Sequence, residues 1–256
     1  MGGVLVRDFI LRHDDTWQRL NKSIGFQLLF LGAPLGGSYR IPYVLFGKDP
    51  IIGKLSKIDI INTKKDLLRI FSAFPGLLSL LPLANDSDND FTKAKTWQKM
   101  RKGLGDTDWP VPSNEDLSKF ENYRNLAIQN STKIDFTNAV YIAGRDKSTP
   151  SGYELDENGA LVFLSTGAGD QSVTWESGIP QKMVENNSVY YADVTHGALA
   201  NEPLLFKAID EILAYGSTLL LKKTRPAIRA VEESFKTPEA TDFDLTAEGI
   251  EKTILG

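Results

Sequence analysis

The sequence predicts an α/β fold, with a mostly parallel sheet and a helical insertion. Two short apolar runs that end at glycine, Phe26–Leu31 and Asn138–Gly144, are typical of strands buried on both faces of a parallel sheet. Between them, residues 39–137 contain helical pieces broken by six prolines. We therefore expect residues 1–38 and 138–220 to form the core and residues 39–137 to form a cap or lid over it.

The remaining elements continue the alternation of helix and strand. Residues Gly3–Lys22 have apolar side chains at helical spacing, which predicts an amphipathic helix before the first strand. The turn sequence Asp156–Gly159 separates two strand-like runs and ends in Asn-Gly, which predicts a β-hairpin with a tight turn. A further strand, Ser188–Val194, leads into a predicted helix over Leu199–Tyr215.

The composition is that of an ordinary globular protein and argues against several functions. The 256 residues are 41% hydrophobic and 24% charged. The net charge is −4, and without an excess of basic residues we expect no nucleic-acid partner. There is no cysteine, and zinc would have only His13, His196 and carboxylates as ligands, so we expect neither a metal nor a cofactor. No apolar run approaches the roughly twenty residues that span a bilayer. We expect a soluble protein and slightly favour the cytoplasm.

Five short motifs occur in a characteristic order along residues 1 to about 215. They are MGGVLVR at Met1–Arg7, LGAPLGGS at Leu31–Ser38, FPGLLSLLP at Phe74–Pro82, GDQSV at Gly169–Val173, and a late histidine, His196. Together they resemble the lecithin:cholesterol acyltransferase-like branch of the α/β-hydrolases, a lipase and esterase group. The chain departs from the usual motifs at Ala33, Gly76, Gln171 and Ser172, and none of these changes removes a side chain that the chemistry needs.

The first motif is similar to the second half of a nucleophile elbow. In α/β-hydrolases the pattern Gly-x-Ser-x-Gly places the serine on a sharp turn between strand and helix. The resemblance implies that the serine would immediately precede Met1 and that Met1 would supply one oxyanion donor. No other Gly-x-Ser-x-Gly occurs in the chain. An ordinary start at Met1, or a cloning remnant, is the alternative explanation.

The resemblance also implies an acid and a base. In this fold the catalytic order is Ser, Asp or Glu, then His, and Asp170 and His196 follow that order, each after a strand candidate. The alternative for Asp170 is an Asx-turn, and for His196 a local hydrogen bond at a helix start. Asp146 is the fallback acid and Asp193 a weaker one, whereas His13 lies in a polar stretch typical of a solvated helix face.

Two classes of function remain. The first is a serine hydrolase or acyltransferase acting on small-molecule or lipid-like esters in the intact protein, with this chain inactive alone because it lacks the nucleophile. The second is a non-catalytic, degenerate hydrolase-like binding domain of a larger protein. The polar tail at residues 221–256 favours this hypothesis, because it suggests a linker to further domains after Gly256. The apolar stretch Phe74–Leu83 suits either peripheral membrane contact or packing on the core.

Overall fold

The described residues contain both helices and strands before position 40 and after position 138, and helices but no strand between these positions. The computed structural model describes residues 2–84, 89–131 and 134–228. The first part contains α1 (Gly2–Arg12), α2 (Asp14–Asn21) and β1 (Leu28–Leu31). The helical segment, residues 40–130, contains α3 (Arg40–Leu45), α4 (Pro50–Ile58), α5 (Lys64–Ser72), α6 (Pro75–Leu78), α7 (Ala94–Leu104) and α8 (Asn114–Asn130). The last part contains β2 (Ala139–Gly144), β3 (Thr149–Leu155), β4 (Leu161–Thr166), α9 (Trp175–Gly178), α10 (Gln181–Glu185), β5 (Val189–Ala192) and α11 (Pro203–Tyr215).

The predicted parallel sheet is confirmed by three strands in the order β1-β2-β5. Both pairs are parallel, with Leu28 opposite Ala139 and Tyr141 opposite Val189. All six residues of the central strand β2 are buried, as expected for a strand that is covered on both faces. The three strands therefore end at one common edge, where the loops that follow them converge.

Helices cover both faces of this sheet. Successive side chains of a strand point to opposite faces, so neighbouring residues of β2 pack against different helices. On one face Tyr141 packs in a cluster with Ile10 of α1 and Trp17 of α2. On the other face Ile142 packs with Leu205 and other residues of α11. The short apolar strands and the amphipathic helices of the sequence thus produce a mixed α/β architecture.

The predicted hairpin is also confirmed, and it lies apart from the parallel sheet. Strands β3 and β4 pair antiparallel, and Gly159 in their turn has φ +76°, the left-handed conformation that Asn-Gly turns favour. Phe163 of β4 packs edge-on against Tyr43 of α3, with 5.2 Å between ring centroids. The hairpin and the helical segment therefore share one apolar core, which also contains Phe46 and Trp97.

Two helix boundaries differ from the prediction. The single helix expected over Gly3–Lys22 is interrupted at His13, whose φ −130° and ψ 50° are not helical, and a new helix begins at Asp14. Two acidic residues in the first turn stabilise this second start. The last helix begins at Pro203 rather than Leu199, because proline suits the first helical position, and a 3-10 turn precedes it.

The start of the predicted tail contacts the core. The backbone N–H of Tyr191 in β5 donates to the carbonyl of Lys222 at 2.9 Å. The Arg225 guanidinium lies 5.2 Å from the ring centroid of Trp175. The rest of that prediction, residues 229–256, lies outside the described residues.

The apolar stretch Phe74–Leu83 is mostly interior. Leu78, Leu80, Leu81 and Leu83 are buried in the core of the helical segment, whereas Phe74 is exposed. This burial favours core packing over membrane contact as the role of the stretch. Within the described ranges, no helix is both long and apolar enough to cross a membrane.

We expect Ile142→Ala to lower the free energy of unfolding by about 2–5 kcal/mol, because it opens a cavity in the fully buried strand β2. Leu204→Ala, at an 83% exposed position of α11, should change it by about 0.5 kcal/mol or less. Urea denaturation of the two variants measures this difference. Equal losses would contradict the central place of β2 in the core.

Candidate active site

Asp170 and His196 meet at the common edge of the parallel sheet. Asp170 follows the glycine-containing loop after β4, and His196 begins the 3-10 turn after β5. Their backbones are joined directly, since the N–H of His196 donates to the carbonyl of Asp170 at 2.8 Å. A second bond, from the N–H of Asp146 to the carbonyl of Gly169, ties the Asp170 loop to the end of β2.

The side chains of this pair are hydrogen-bonded. His196 Nδ1 lies 2.8 Å from Asp170 Oδ2, and the Asp170 side chain is only 2% exposed. A carboxylate accepts from the Nδ1–H of a neutral imidazole, which leaves Nε2 with a lone pair. Among the described residues, no group forms a hydrogen bond to Nε2. His196 is partly exposed, so Nε2 can accept a proton from a group brought to this edge.

The remaining oxygen of Asp170 forms an Asx-turn. Oδ1 accepts from the backbone N–H groups of Ser172 at 3.0 Å and Val173 at 2.7 Å. Gln171, between Asp170 and Ser172, takes a positive φ of 83°, and its backbone N–H donates to Thr149 Oγ1 at 2.8 Å. The two interpretations of Asp170, as a turn residue and as the partner of a histidine, are therefore compatible.

The side chains of the other candidate residues have other surroundings. Asp146 accepts from the backbone of Ser148, and Asp193 forms an exposed ion pair with Arg145 at 2.8 Å. His13 is exposed between α1 and α2, with its ring beside Phe9. None of the three is bonded to the Asp170–His196 pair in the described contacts.

Two glycines leave the room that the pair needs. A Cβ on Gly32 would lie 2.5 Å from Asp170 Oδ2 and 3.0 Å from His196 Nδ1. A Cβ on Gly144, at the end of β2, would lie 2.8 Å from Asp170 Cβ. Their position at strand ends was visible in the sequence, but their closeness to Asp170 and His196 depends on which loops the sheet brings together.

Helix α1 starts beside the same edge. A Cβ on Gly3 would lie 2.5 Å from Ala33 Cβ, and Ala33 is the neighbour of Gly32. The phenol of Tyr141 donates to the carbonyl of Ala33 at 2.7 Å, and burial, followed by the nearby Asp170 charge, raises the pKa of Tyr141 well above its usual value. The predicted oxyanion donor, Met1, lies outside the described residues.

A cavity of about 410 Å³ opens next to His196. Most of its wall is apolar and comes from the helical segment: Ile41, Val44, Ile51, Ile52, Leu55, Phe71, Phe74, Leu77 and Leu80. Residues on the other side include Pro34 and Val173. His196 therefore faces a space suited to an apolar group.

A polar network, which the sequence did not reveal, connects this wall to the loop that carries Asp170. Arg40 at the start of α3 forms an ion pair with the buried Asp49 at 2.6 Å and donates to Ser172 Oγ at 2.6 Å. Ser38 Oγ donates to the carbonyl of Ser172. Asp49 also accepts from the N–H of Ile51 and so caps α4. The helical segment thus holds the loop that carries Asp170.

Within the described ranges, no cluster of three or more His, Asp or Glu side chains could hold a metal ion. Comparisons with protein-family models, curated proteins and solved structures find no significant match to this chain. The functional conclusion therefore depends on the site geometry and on the motif resemblance.

We expect Gly32→Ala to break the Asp170–His196 hydrogen bond, because the added methyl would lie 2.5 Å from Asp170 Oδ2. Gly25→Ala is the matched control, since Gly25 also has a positive φ, 76°, but has open space around its Cβ position. Both should lose about 1–2 kcal/mol of stability from the left-handed backbone. Only Gly32→Ala should lose the low-field Nδ1–H proton resonance in NMR spectra, and retention of that resonance would contradict the geometry.

Proposed function

We propose that this chain carries the acid and base of a serine hydrolase or acyltransferase, with Asp170 as the acid and His196 as the base. The observation that carries the proposal is the 2.8 Å contact between a buried carboxylate and Nδ1 of a partly exposed histidine at the edge of a parallel sheet. Ligands of open α/β sheets bind at this edge. The motif resemblance supports the same assignment.

The proposed reaction is acyl transfer. A serine hydroxyl attacks the ester carbonyl carbon while His196 Nε2 takes its proton, and Asp170 stabilises the imidazolium that forms. Nε2 then gives the proton to the departing alcohol as the ester bond breaks, which leaves an acyl-serine. Water or a second alcohol, deprotonated in the same way, releases the acyl group.

The proposed reaction needs a serine nucleophile, which the motif resemblance implies just before helix α1. The packing of Gly3 against Ala33 supports this placement. Ala33 follows Gly32, which lies against Asp170 and His196, so the start of α1 is close to these two residues. The serines of the polar network beside Asp170 have other partners: Ser172 Oγ accepts from Arg40, and Ser38 Oγ donates to the carbonyl of Ser172. In the described contacts, neither serine is hydrogen-bonded to His196.

The proposed substrate is a lipid-like ester. The apolar wall beside His196 would hold the acyl chain, and the helical segment would act as the cap. The bond from Arg40 to Ser172 supports a cap that is coupled to the acid loop. A non-catalytic binding domain that uses the same cavity is the second candidate, because no described hydroxyl is bonded to Nε2.

The first test is the sequence upstream of Met1, where we expect Gly-x-Ser in frame. The intact protein should then react with a fluorophosphonate probe. His196→Ala should reduce labelling by several orders of magnitude, and Asp170→Asn by roughly 10⁴-fold, because the imidazole would lose its base function or its correct tautomer.

His13→Ala is the matched control and should label like the parent, since His13 lies on the surface between α1 and α2. Labelling that survives His196→Ala would exclude His196 as the base. An upstream sequence without a serine, together with tight binding of an ester analogue in the cavity, would favour the binding domain instead.

A further inference from the structure

A second cavity is lined by a different set of residues from the one beside His196. Its volume is about 270 Å³, and no described residue lines both cavities. It lies between α1, β1, α8 and α9, and we call it the Arg7 cavity after the cation in its wall. We propose that the Arg7 cavity binds a small apolar carboxylate. This proposal goes beyond the catalytic assignment and does not depend on it.

Most of the wall of the Arg7 cavity is apolar and buried. Ile10 of α1, Phe30 of β1 and Ala127 of α8 line it, and each is at most 4% exposed. Ile128 and Glu176 also line it and are exposed, so the cavity reaches the surface. A water molecule occupies about 30 Å³ in the liquid. The cavity therefore suits an apolar chain of about nine groups of that size.

Arg7 puts a buried positive charge in this wall. Arg7 is 5% exposed and lines the cavity, and a guanidinium stays protonated in proteins. Among the residues that the structure describes, no carboxylate forms an ion pair with it. A buried charge without a counter-ion is costly. An anion in the cavity would neutralise this charge.

The hydrogen bonds of Arg7 leave one donor for such an anion. A guanidinium has five N–H groups. Nε and Nη2 each donate to the Tyr123 hydroxyl at 3.2 Å, and Nη2 also donates to the carbonyl of Ser79 at 3.2 Å. Nη1 donates one N–H to the carbonyl of Leu35, and its second N–H has no acceptor in the described contacts. One charge-assisted hydrogen bond to a carboxylate oxygen would satisfy it.

The other polar groups of the wall favour a carboxylate over a larger anion. Ser131 Oγ donates to a carbonyl of α8 at 2.8 Å, and Ser177 Oγ accepts from the Thr174 hydroxyl at 2.8 Å. A phosphate has more oxygens to satisfy than this wall has unused donors. Glu176 is the acidic residue of the wall, but it is exposed, so solvent screens its charge more than that of the buried Arg7.

Backbone hydrogen bonds hold part of the wall in place. The N–H of Gly36 donates to the carbonyl of Ser177 at 2.7 Å, and the N–H of Leu35 donates to the carbonyl of Gly178 at 3.3 Å. A Cβ on Gly36 would lie 2.3 Å from the carbonyl oxygen of Ser177, so the two segments are in direct backbone contact. A wall that is already ordered loses little conformational freedom when a ligand binds, which favours affinity.

The test is isothermal titration calorimetry of the whole chain with octanoate. Octanol and octylamine are compared with it, because they keep the alkyl chain and replace the carboxylate with a neutral or a positive group. We expect octanoate to bind at least about tenfold more tightly than either, since a hydrogen bond between two charged groups is stronger than one to a neutral group.

Variants that fill a cavity locate the binding site. Ala127→Phe should weaken octanoate binding at least about tenfold, because the added ring would occupy the Arg7 cavity. Val44→Phe is the matched control, since Val44 lines only the cavity beside His196, and it should change the affinity by about twofold or less. The assay needs no nucleophile, so a failure of the catalytic proposal would leave its result unchanged.

A charge variant tests the guanidinium itself. Arg7→Gln should weaken octanoate binding at least about tenfold and leave octanol binding nearly unchanged. Arg7 also joins α1 to the carbonyls of Leu35 and Ser79, so urea denaturation checks that the variant folds. If it does not fold, the ligand series and Ala127→Phe decide the proposal.

Four outcomes would overturn the proposal. Equal affinity for octanoate and octanol would show that the cavity does not select an anion. Binding that is lost in Val44→Phe and kept in Ala127→Phe would place the ligand beside His196. Tighter binding of 2-aminooctanoate than of octanoate would indicate a zwitterionic ligand that also pairs with Glu176. The absence of octanoate binding would show that the cavity is not a site for this class of ligand.

Discussion

The hydrogen bond between Asp170 and His196 is the interaction on which the candidate site depends. A buried carboxylate is costly unless its oxygens are satisfied, and here Oδ2 meets Nδ1 while Oδ1 accepts two backbone N–H groups. The positive φ of Gln171 and the missing side chains at Gly32 and Gly144 make this arrangement sterically feasible. The Asp170 carboxylate thus holds both His196 and its own loop in place at the edge of the sheet.

The helical segment contributes to the same site in two ways. It supplies the apolar wall of the cavity beside His196, and through Arg40 it bonds to Ser172 in the acid loop. A movement of α3 would therefore affect both the cavity and the position of Asp170. In the proposed function, this coupling links the binding of an apolar substrate to the geometry of the acid and base.

The proposed pairing of Asp170 with His196 comes from the motif resemblance. The sequence itself predicts the parallel strands and the hairpin, because each has a local signal: apolar runs that end at glycine, and Asn-Gly. It does not predict the break at His13, where a single non-helical residue interrupts a continuous apolar pattern. The network at Arg40 and the steric role of Gly32 are also missed. Both join residues more than a hundred positions apart, so only the folded chain brings them together.

The central claim is that His196 faces a nucleophile on one side and an apolar acyl site on the other. The most direct measurement is a crystal structure of the intact protein after reaction with a long-chain alkylphosphonate. We expect phosphorus on a serine within hydrogen-bond reach of His196 Nε2, and the alkyl chain in the cavity lined by Ile41, Leu55 and Leu77. An alkyl chain bound elsewhere, or a modified serine remote from His196, would contradict it.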